Sequence, residues 1–160
     1  MKRKILIVED NVGLSQIQKD WLSRAGYDAV TAMSEPIARS LIRKTQFDLI
    51  LSDVRLPEGD GISLLEWLRK EKKDIPFILT TEYVSVPDVV RTIKLGAWDY
   101  LPKPVHRDYL LELAEDIFRY LSLLPCYYQF LYPLPYMHQF RIQIYRSAFC
   151  YPLWTYFLYL

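Results

Sequence analysis

From residue 4 to about residue 120, short runs of consecutive apolar residues alternate with longer segments in which apolar residues recur every three or four positions. The five short runs lie at 4–8, 29–31, 47–52, 77–80 and 97–101. Strands that are buried on both faces are apolar at nearly every position, so these runs predict parallel strands. The segments between them predict amphipathic helices. The pattern predicts an α/β fold: a doubly wound (βα)5 domain with one five-stranded parallel sheet between two layers of helices.

The same spacing predicts the start, the end and the buried face of the helices. Ser34 and Ser85 are predicted N-caps of the second and fourth helices, and Gly26 and Gly96 are predicted to end the first and fourth. The predicted buried positions are Leu14, Ile17, Trp21 and Ala25 in the first helix, Ile37, Leu41 and Ile42 in the second, Ile62, Leu65 and Leu68 in the third, and Leu110, Leu113, Ile117 and Tyr120 in the fifth.

Charged and hydroxyl residues follow four of the five predicted strands. Glu9 and Asp10 follow the first strand, Asp53 the third, Thr81 the fourth and Lys103 the fifth. In an open parallel sheet the carboxyl ends of the strands share one edge, and ligands bind there. We therefore expect these five side chains to meet at that edge.

This grouping predicts a site for a divalent cation and a phosphoryl group. Two carboxylates about 4 Å apart repel by about 4 kcal/mol at an effective dielectric of about 20, so three of them need positive charge nearby. Mg²⁺ prefers oxygen ligands and leaves room for a phosphoryl oxygen, and Lys103 adds a second positive charge. A hydroxyl at Thr81 would donate to that oxygen, and Asp53 is the predicted nucleophile. Taken alone, Glu9 and Asp10 would instead be assigned to a helix N-terminus.

Four separated motifs resemble the receiver domain of two-component response regulators, which has the flavodoxin-like fold of the chemotaxis regulators. They are residues 5–11 (ILIVEDN), 52–57 (SDVRLP), Asp60 with Gly61, and 96–104 (GAWDYLPKP). The resemblance covers residues 3 to about 120. Within it, residues 85–88 and 99–104 are similar to receivers that precede sigma-54-dependent transcription activators.

The resemblance implies that a sensor histidine kinase passes a phosphoryl group to Asp53. It further implies that Mg²⁺ is held by Glu9, Asp10, Asp53 and the main-chain carbonyl of Arg55. Such a domain is a signalling phosphoacceptor and not an enzyme with a separate substrate, because it catalyses only its own phosphorylation and the hydrolysis of its aspartyl phosphate.

The resemblance also assigns the remaining site residues. Thr81 and Lys103 would complete the catalytic set, and Thr81 with Tyr100 would form a switch pair that alters the face made by the fourth helix, fifth strand and fifth helix. The partner at that face would be a downstream protein or an output domain, with a homodimer left open. The Lys103–Pro104 bond is expected to be cis, as is typical of the family.

Two positions bear on how closely the chain follows the family. Glu82 follows Thr81 where the family usually has a small residue, which leaves the lifetime of the phosphoryl group open. Thr80 precedes Thr81, and Thr81 is chosen because its separation of 22 residues from Lys103 fits the family better.

Charge and aromatic content both change near residue 120. The chain has 20 Lys and Arg against 19 Asp and Glu, so no basic excess suggests that it binds nucleic acid directly. All 19 acidic residues lie at or before Asp116, whereas the last 44 residues hold 15 aromatic residues. The sequence thus predicts a receiver domain at 1–120 and an aromatic-rich tail at 121–160. The apolar run at 5–8 is too short for a signal peptide, so a cytoplasmic location is expected.

Two explanations of the tail stay open. It lacks Lys, Asp, Glu and Gly, and it has neither a Gly-rich phosphate loop nor a run of about 20 apolar residues that could span a membrane. It would be an out-of-frame or truncated end of a longer regulator, or a segment that contacts a partner or a membrane surface. For the whole chain, the alternatives to a phosphoacceptor are a receiver fragment of a transcription activator and a receiver-like scaffold that binds a partner without phosphoryl turnover.

Overall fold

The structure is a computed structural model and describes residues 2–128, with side-chain burial up to residue 123. Strands and helices alternate along the chain. The ten elements are β1 (Lys4–Val8), α1 (Val12–Arg24), β2 (Asp28–Ala32), α2 (Glu35–Lys44), β3 (Leu49–Asp53), α3 (Gly61–Lys70), β4 (Phe77–Thr81), α4 (Val86–Lys94), β5 (Asp99–Pro102) and α5 (Arg107–Tyr128). The predicted (βα)5 order is confirmed.

The five strands form one parallel sheet in the order β2-β1-β3-β4-β5. Val8, the last residue of β1, pairs with Ala32 on one side and Ser52 on the other. Asp53, the last residue of β3, pairs with Thr80 of β4. The strand ends are therefore in register, and the residues that follow them emerge at one edge of the sheet.

Side chains alternate between two apolar cores, one on each face of the sheet. In β1, Leu6 and Val8 contribute to the core that α2 and α3 cover, whereas Ile5 and Ile7 contribute to the core that α1 and α5 cover. All four side chains are fully buried. This double burial explains why the strands read as continuous apolar runs in the sequence.

The predicted buried stripe of α1 is wrong at most of its positions, since only Trp21 is partly buried and packs against the core. Leu14 and Ile17 are exposed, whereas Ser15, Gln18 and Leu22 are the buried residues of this helix. The apolar residues of α1 spread over more than one face, so their spacing does not determine how the helix is rotated. In the folded domain the buried face of α1 includes the polar residues Ser15 and Gln18.

The side chains that cap the helix starts differ from those that the sequence predicts. Ser34 and Ser85 occupy the N-cap positions of α2 and α4, but neither side chain makes a capping hydrogen bond. The caps form instead at Asn11, whose Oδ1 accepts a hydrogen bond from Leu14 N at 3.1 Å, and at Asp60 before α3. Short polar side chains cap only where the preceding turn aims them at the free N–H groups.

The chain divides into two units, residues 1–122 and 123–160. Most of the predicted aromatic-rich tail, residues 121–160, lies outside the described residues. Within 2–128, none of the helices combines the length and hydrophobicity that crossing a bilayer demands.

Candidate functional site

Three carboxylates meet at the carboxyl edge of the sheet. Glu9 and Asp10 directly follow β1, and Asp53 is the last residue of β3, the strand next to β1 in the sheet. One oxygen of each lies within 4.8 Å of the others. Glu9 and Asp53 are 2% and 7% exposed, whereas Asp10 is exposed to solvent. The group thus has a buried floor and one carboxylate at its mouth.

Lys103, which follows β5, joins this group from the other side. Its Nζ donates a hydrogen bond to Glu9 Oε2 at 2.7 Å and to Asp53 Oδ2 at 2.5 Å. The Lys103 backbone N donates to Thr81 O at 2.7 Å, and the Lys103–Pro104 peptide bond is cis. The Lys103 ammonium therefore bridges the two buried carboxylates.

One ammonium does not balance three carboxylates. The formal charges of Glu9, Asp10, Asp53 and Lys103 sum to −2 at a largely buried position. Burial raises the pKa of Glu9 above its usual value, although the Lys103 hydrogen bond and charge oppose this shift. Burial alone would lower the pKa of Lys103, but its hydrogen bonds to Asp53 and Glu9 and their charges raise it overall. The site has an excess of negative charge that a divalent cation would neutralise.

The loop between β3 and α3 forms the wall beside Asp53. Arg55 N donates a hydrogen bond to Asp53 Oδ1 at 3.1 Å, which places the Arg55 peptide next to the carboxylate. Gly61 N donates to Val54 O at 3.0 Å and closes the loop. A side chain at Gly61 would collide with the main-chain oxygen of Asp53, so glycine lets α3 begin directly behind the site.

Thr81 and Thr80 differ in what their hydroxyls contact. Thr80 Oγ1 donates to Ser52 O at 3.4 Å, within the sheet. Thr81 Oγ1 lies at the end of β4, donates to Tyr83 O at 3.0 Å and accepts a hydrogen bond from Tyr83 N at 3.1 Å. The Thr81 hydroxyl is thus held by the loop that leaves the strand, one strand away from Asp53.

Tyr100 and Tyr83 surround this threonine. Burial raises the Tyr100 pKa, and a side-chain hydrogen bond with Thr81 opposes this rise, so the Tyr100 hydroxyl lies next to the Thr81 side chain. The Tyr83 ring is 63% exposed, and the Arg55 guanidinium lies over it at 4.6 Å from the ring centroid. No spacing rule relates residues on separate loops, so the sequence did not indicate this contact between two loops.

Comparison with known proteins decides the family. The sequence matches the response regulator receiver domain over residues 5–115. The chain belongs to this family. This receiver is 33% identical over 118 residues to the response regulator protein PilR of Pseudomonas aeruginosa. It is 39% identical over 114 residues to the transcriptional regulatory protein ZraR of Salmonella typhimurium. These alignments cover 74% and 71% of the chain but 26% of each relative, so the chain spans about a quarter of their length.

Solved receiver structures have the same fold. The receiver domain of a putative LuxO repressor protein from Vibrio parahaemolyticus aligns with a TM-score of 0.74 and 26% identity, covering 79% of this chain and 97% of that one. A CheY-like receiver domain from Methanospirillum hungatei aligns with a TM-score of 0.70 and 31% identity, covering 74% and 96%. The predicted family and the flavodoxin-like receiver fold are both confirmed.

Proposed function

We propose that this receiver is a phosphoacceptor switch of a two-component phosphorelay. A histidine kinase is the phosphoryl donor and Asp53 the acceptor. The observation that carries the proposal is the bridging of Asp53 and Glu9 by the Lys103 ammonium inside a group of three carboxylates. An acidic group with an excess of negative charge fits a hard divalent cation, and its lysine fits a phosphoryl oxygen.

In the proposed step a carboxylate oxygen of Asp53 forms a bond to phosphorus while the bond from phosphorus to the donor imidazole breaks. The electron pair of the broken bond stays on the imidazole nitrogen. Lys103 already contacts Asp53, so its ammonium is placed to stabilise the negative charge on the phosphoryl oxygens. Thr81 would release its hydrogen bond to Tyr83 and donate to the same group.

Mg²⁺ is the proposed cofactor. Glu9, Asp10 and Asp53 would hold it, together with the main-chain carbonyl of Arg55, a residue whose backbone N–H contacts Asp53 Oδ1. When bound, the ion neutralises the charge that develops on the phosphoryl oxygens.

The decisive experiment is incubation of the whole chain with acetyl phosphate and MgCl₂, followed by intact-mass measurement. We expect a gain of one phosphoryl group that is absent in Asp53→Asn and after chelation of the metal. The control is Asp108→Asn, which removes an exposed carboxylate at the start of α5 and should leave the gain unchanged.

A protein that folds but gains no mass would contradict the proposal. It would favour the alternative of a receiver-like scaffold, for which the exposed Glu82 beside Thr81 is the motivating residue. A gain that persists in Asp53→Asn would place the phosphoryl group elsewhere and would also contradict it.

For the output, we propose that phosphorylation changes the surface of α4, β5 and α5 through Thr81 and Tyr100. This surface carries exposed Val86, Val90 and Tyr109, which suit a protein contact. Relatives named as transcriptional regulators make an output module for transcription the favoured partner. A cytoplasmic location is part of the same proposal.

A further inference from the structure

Glu35 is a buried carboxylate outside the acidic group and has no part in the proposed phosphoryl transfer. It is the first residue of α2, is 6% exposed and pairs with Arg39 one helical turn later. Buried carboxylates normally have a defined contact that compensates the loss of hydration. The contacts of Glu35 lead to the loop between β3 and α3.

Two hydrogen bonds attach Glu35 to that loop. Its Oε2 accepts a hydrogen bond from Asp60 N at 3.0 Å, and its own backbone N donates to Glu58 O at 3.2 Å. Gly59 lies between these two contacts with φ +83°, and a side chain there would collide with the Glu35 carboxylate. The glycine therefore allows the carboxylate to approach the loop backbone closely.

The fixed end of the loop is connected to the phosphorylation site. Asp60 faces Arg55 as an isolated antiparallel bridge, and the Asp60 carboxylate caps α3 by accepting from Ser63 N at 2.7 Å. On the other side of the bridge, Arg55 N donates to Asp53 Oδ1. A path of two hydrogen bonds to carboxylate side chains and one backbone bridge thus runs from Glu35 through Asp60 and Arg55 to the acceptor carboxylate.

We propose that Glu35 is a positioning residue that holds the loop carrying the Arg55 carbonyl in the geometry needed for a divalent cation beside Asp53. The inference rests on the proposed function, because only a cation-binding site needs that carbonyl fixed. Partners that orient metal ligands from outside typically change metal affinity about 10- to 100-fold when removed.

The test compares Glu35→Ala with Glu35→Gln and Glu58→Gln in the whole chain. The first reading, taken without metal, is the hydrogen-exchange protection of the Asp60 amide, which we expect to fall about tenfold or more in Glu35→Ala. Glu35→Gln keeps an oxygen that can accept from Asp60 N, so it should retain most of the protection. Glu58→Gln removes an equal charge from the same loop at an exposed side chain and should change nothing.

The second reading is Mg²⁺ affinity by isothermal titration calorimetry. We expect the dissociation constant to rise about tenfold in Glu35→Ala and less than about twofold in both Gln variants. Unchanged Asp60 protection in Glu35→Ala would overturn the inference, as would lost protection with unchanged affinity. Equal weakening of Mg²⁺ binding in Glu35→Gln and Glu58→Gln would also overturn it, since the loss of a negative charge at long range would then explain the effect.

Folding and the proposed function are checked separately. If Glu35→Ala does not fold by circular dichroism, Glu35→Asp provides the second variant, because its shorter side chain withdraws the carboxylate from Asp60 N while the charge and the loop sequence are kept. The same two readings then apply, with the same outcomes. A wild-type protein that binds no Mg²⁺ would overturn the proposed function, and the metal-free exchange data would show independently whether Glu35 holds the loop.

Discussion

Two buried glutamates, Glu9 and Glu35, have opposite electrostatic surroundings. The ammonium that contacts Glu9 belongs to Lys103, on another strand, and it is shared with Asp53 and set against three carboxylates. The base that contacts Glu35 belongs to Arg39, one turn along the same helix, and the remaining carboxylate oxygen is satisfied by a backbone N–H. One carboxylate lies in a region of excess charge, and the other lies in a region that is locally compensated.

This difference separates a carboxylate that binds a ligand from one that holds neighbouring backbone in place. A buried group of carboxylates with uncompensated charge is stabilised when a cation binds, so it functions as a cation-binding site. A buried carboxylate whose charge and hydrogen bonds are already matched gains nothing from a ligand, and its effect is to fix the backbone it contacts. Substitutions around the two glutamates test this separation.

The largest expected effect is on the acidic site. Lys103→Met should slow phosphorylation by acetyl phosphate about 10²- to 10³-fold, because the ammonium that contacts Asp53 is lost where negative charge develops. The rate of mass gain measures this effect. Lys94→Met removes a charge from an exposed position of α4 and is the control. Comparable slowing in both variants would mean that net charge, and not the Lys103 contact, governs the rate.

A large stability effect is expected where Glu35 meets the loop. Gly59→Ala and Gly26→Ala both place a side chain at positive φ, +83° and +96°, which costs about 1–2 kcal/mol. A methyl group at Gly26 meets no atom within 4 Å, whereas one at Gly59 collides with Glu35. Urea unfolding should show that Gly59→Ala lowers the free energy of unfolding by about 1–2 kcal/mol more than Gly26→Ala does. Equal losses would show that the Glu35 carboxylate moves aside freely.

Removing Asp10 should affect the cation and little else. Asp10→Ala is expected to raise the Mg²⁺ dissociation constant about tenfold, since one carboxylate ligand is lost. The metal-free protein should be equally or slightly more stable, because an exposed carboxylate that repels Glu9 and Asp53 is gone. Calorimetry and thermal melting with a chelator measure the two effects. Glu71→Gln, an exposed residue after α3, is the control, and equal changes in both variants would contradict the prediction.

The smallest expected effect distinguishes two arginines that both contact Trp67. The guanidinium carbons of Arg39 and Arg43 lie 5.1 and 5.5 Å from its ring centroid, but only Arg39 also pairs with Glu35. Arg39→Met should lower the free energy of unfolding by about 1–2 kcal/mol, because it leaves a buried carboxylate short of a donor. Arg43→Met should lower it by about 0.5 kcal/mol. Equal losses in urea unfolding would show that the Glu35 ion pair adds nothing.

The sequence was sufficient to predict which residues meet at the carboxyl edge of the sheet. The order of strands and helices and the burial of the strands on both faces allow few arrangements of the chain. Five apolar runs in alternation with helices predict parallel strands, and parallel strands bring their carboxyl ends together. Glu9, Asp10, Asp53 and Lys103 were therefore expected at one place, and the structure brings them there. Their individual roles, like those of Thr81, Arg55 and Tyr100, stay predictions.

The rotation of a helix about its axis and the contacts between loops could not be predicted from the sequence in the same way. The α1 prediction failed because the apolar residues of that helix occupy more than one face, and tertiary packing buried the face with Ser15, Gln18 and Leu22. Glu35 reads in the sequence as an ordinary acidic residue in the first turn of a helix. Nothing within its own segment indicates that a loop 25 residues away needs its carboxylate.

The sequence by itself determined the fold and the residues that meet at the strand ends, because burial periodicity and the order of elements can be read along the chain, and its motifs indicated the family by resemblance. Only the tertiary structure decided how Lys103 is shared between Glu9 and Asp53, and how Glu35 holds the neighbouring loop. Those contacts depend on distances between segments that are remote in the chain, and such distances exist only after the sheet and its helices have packed.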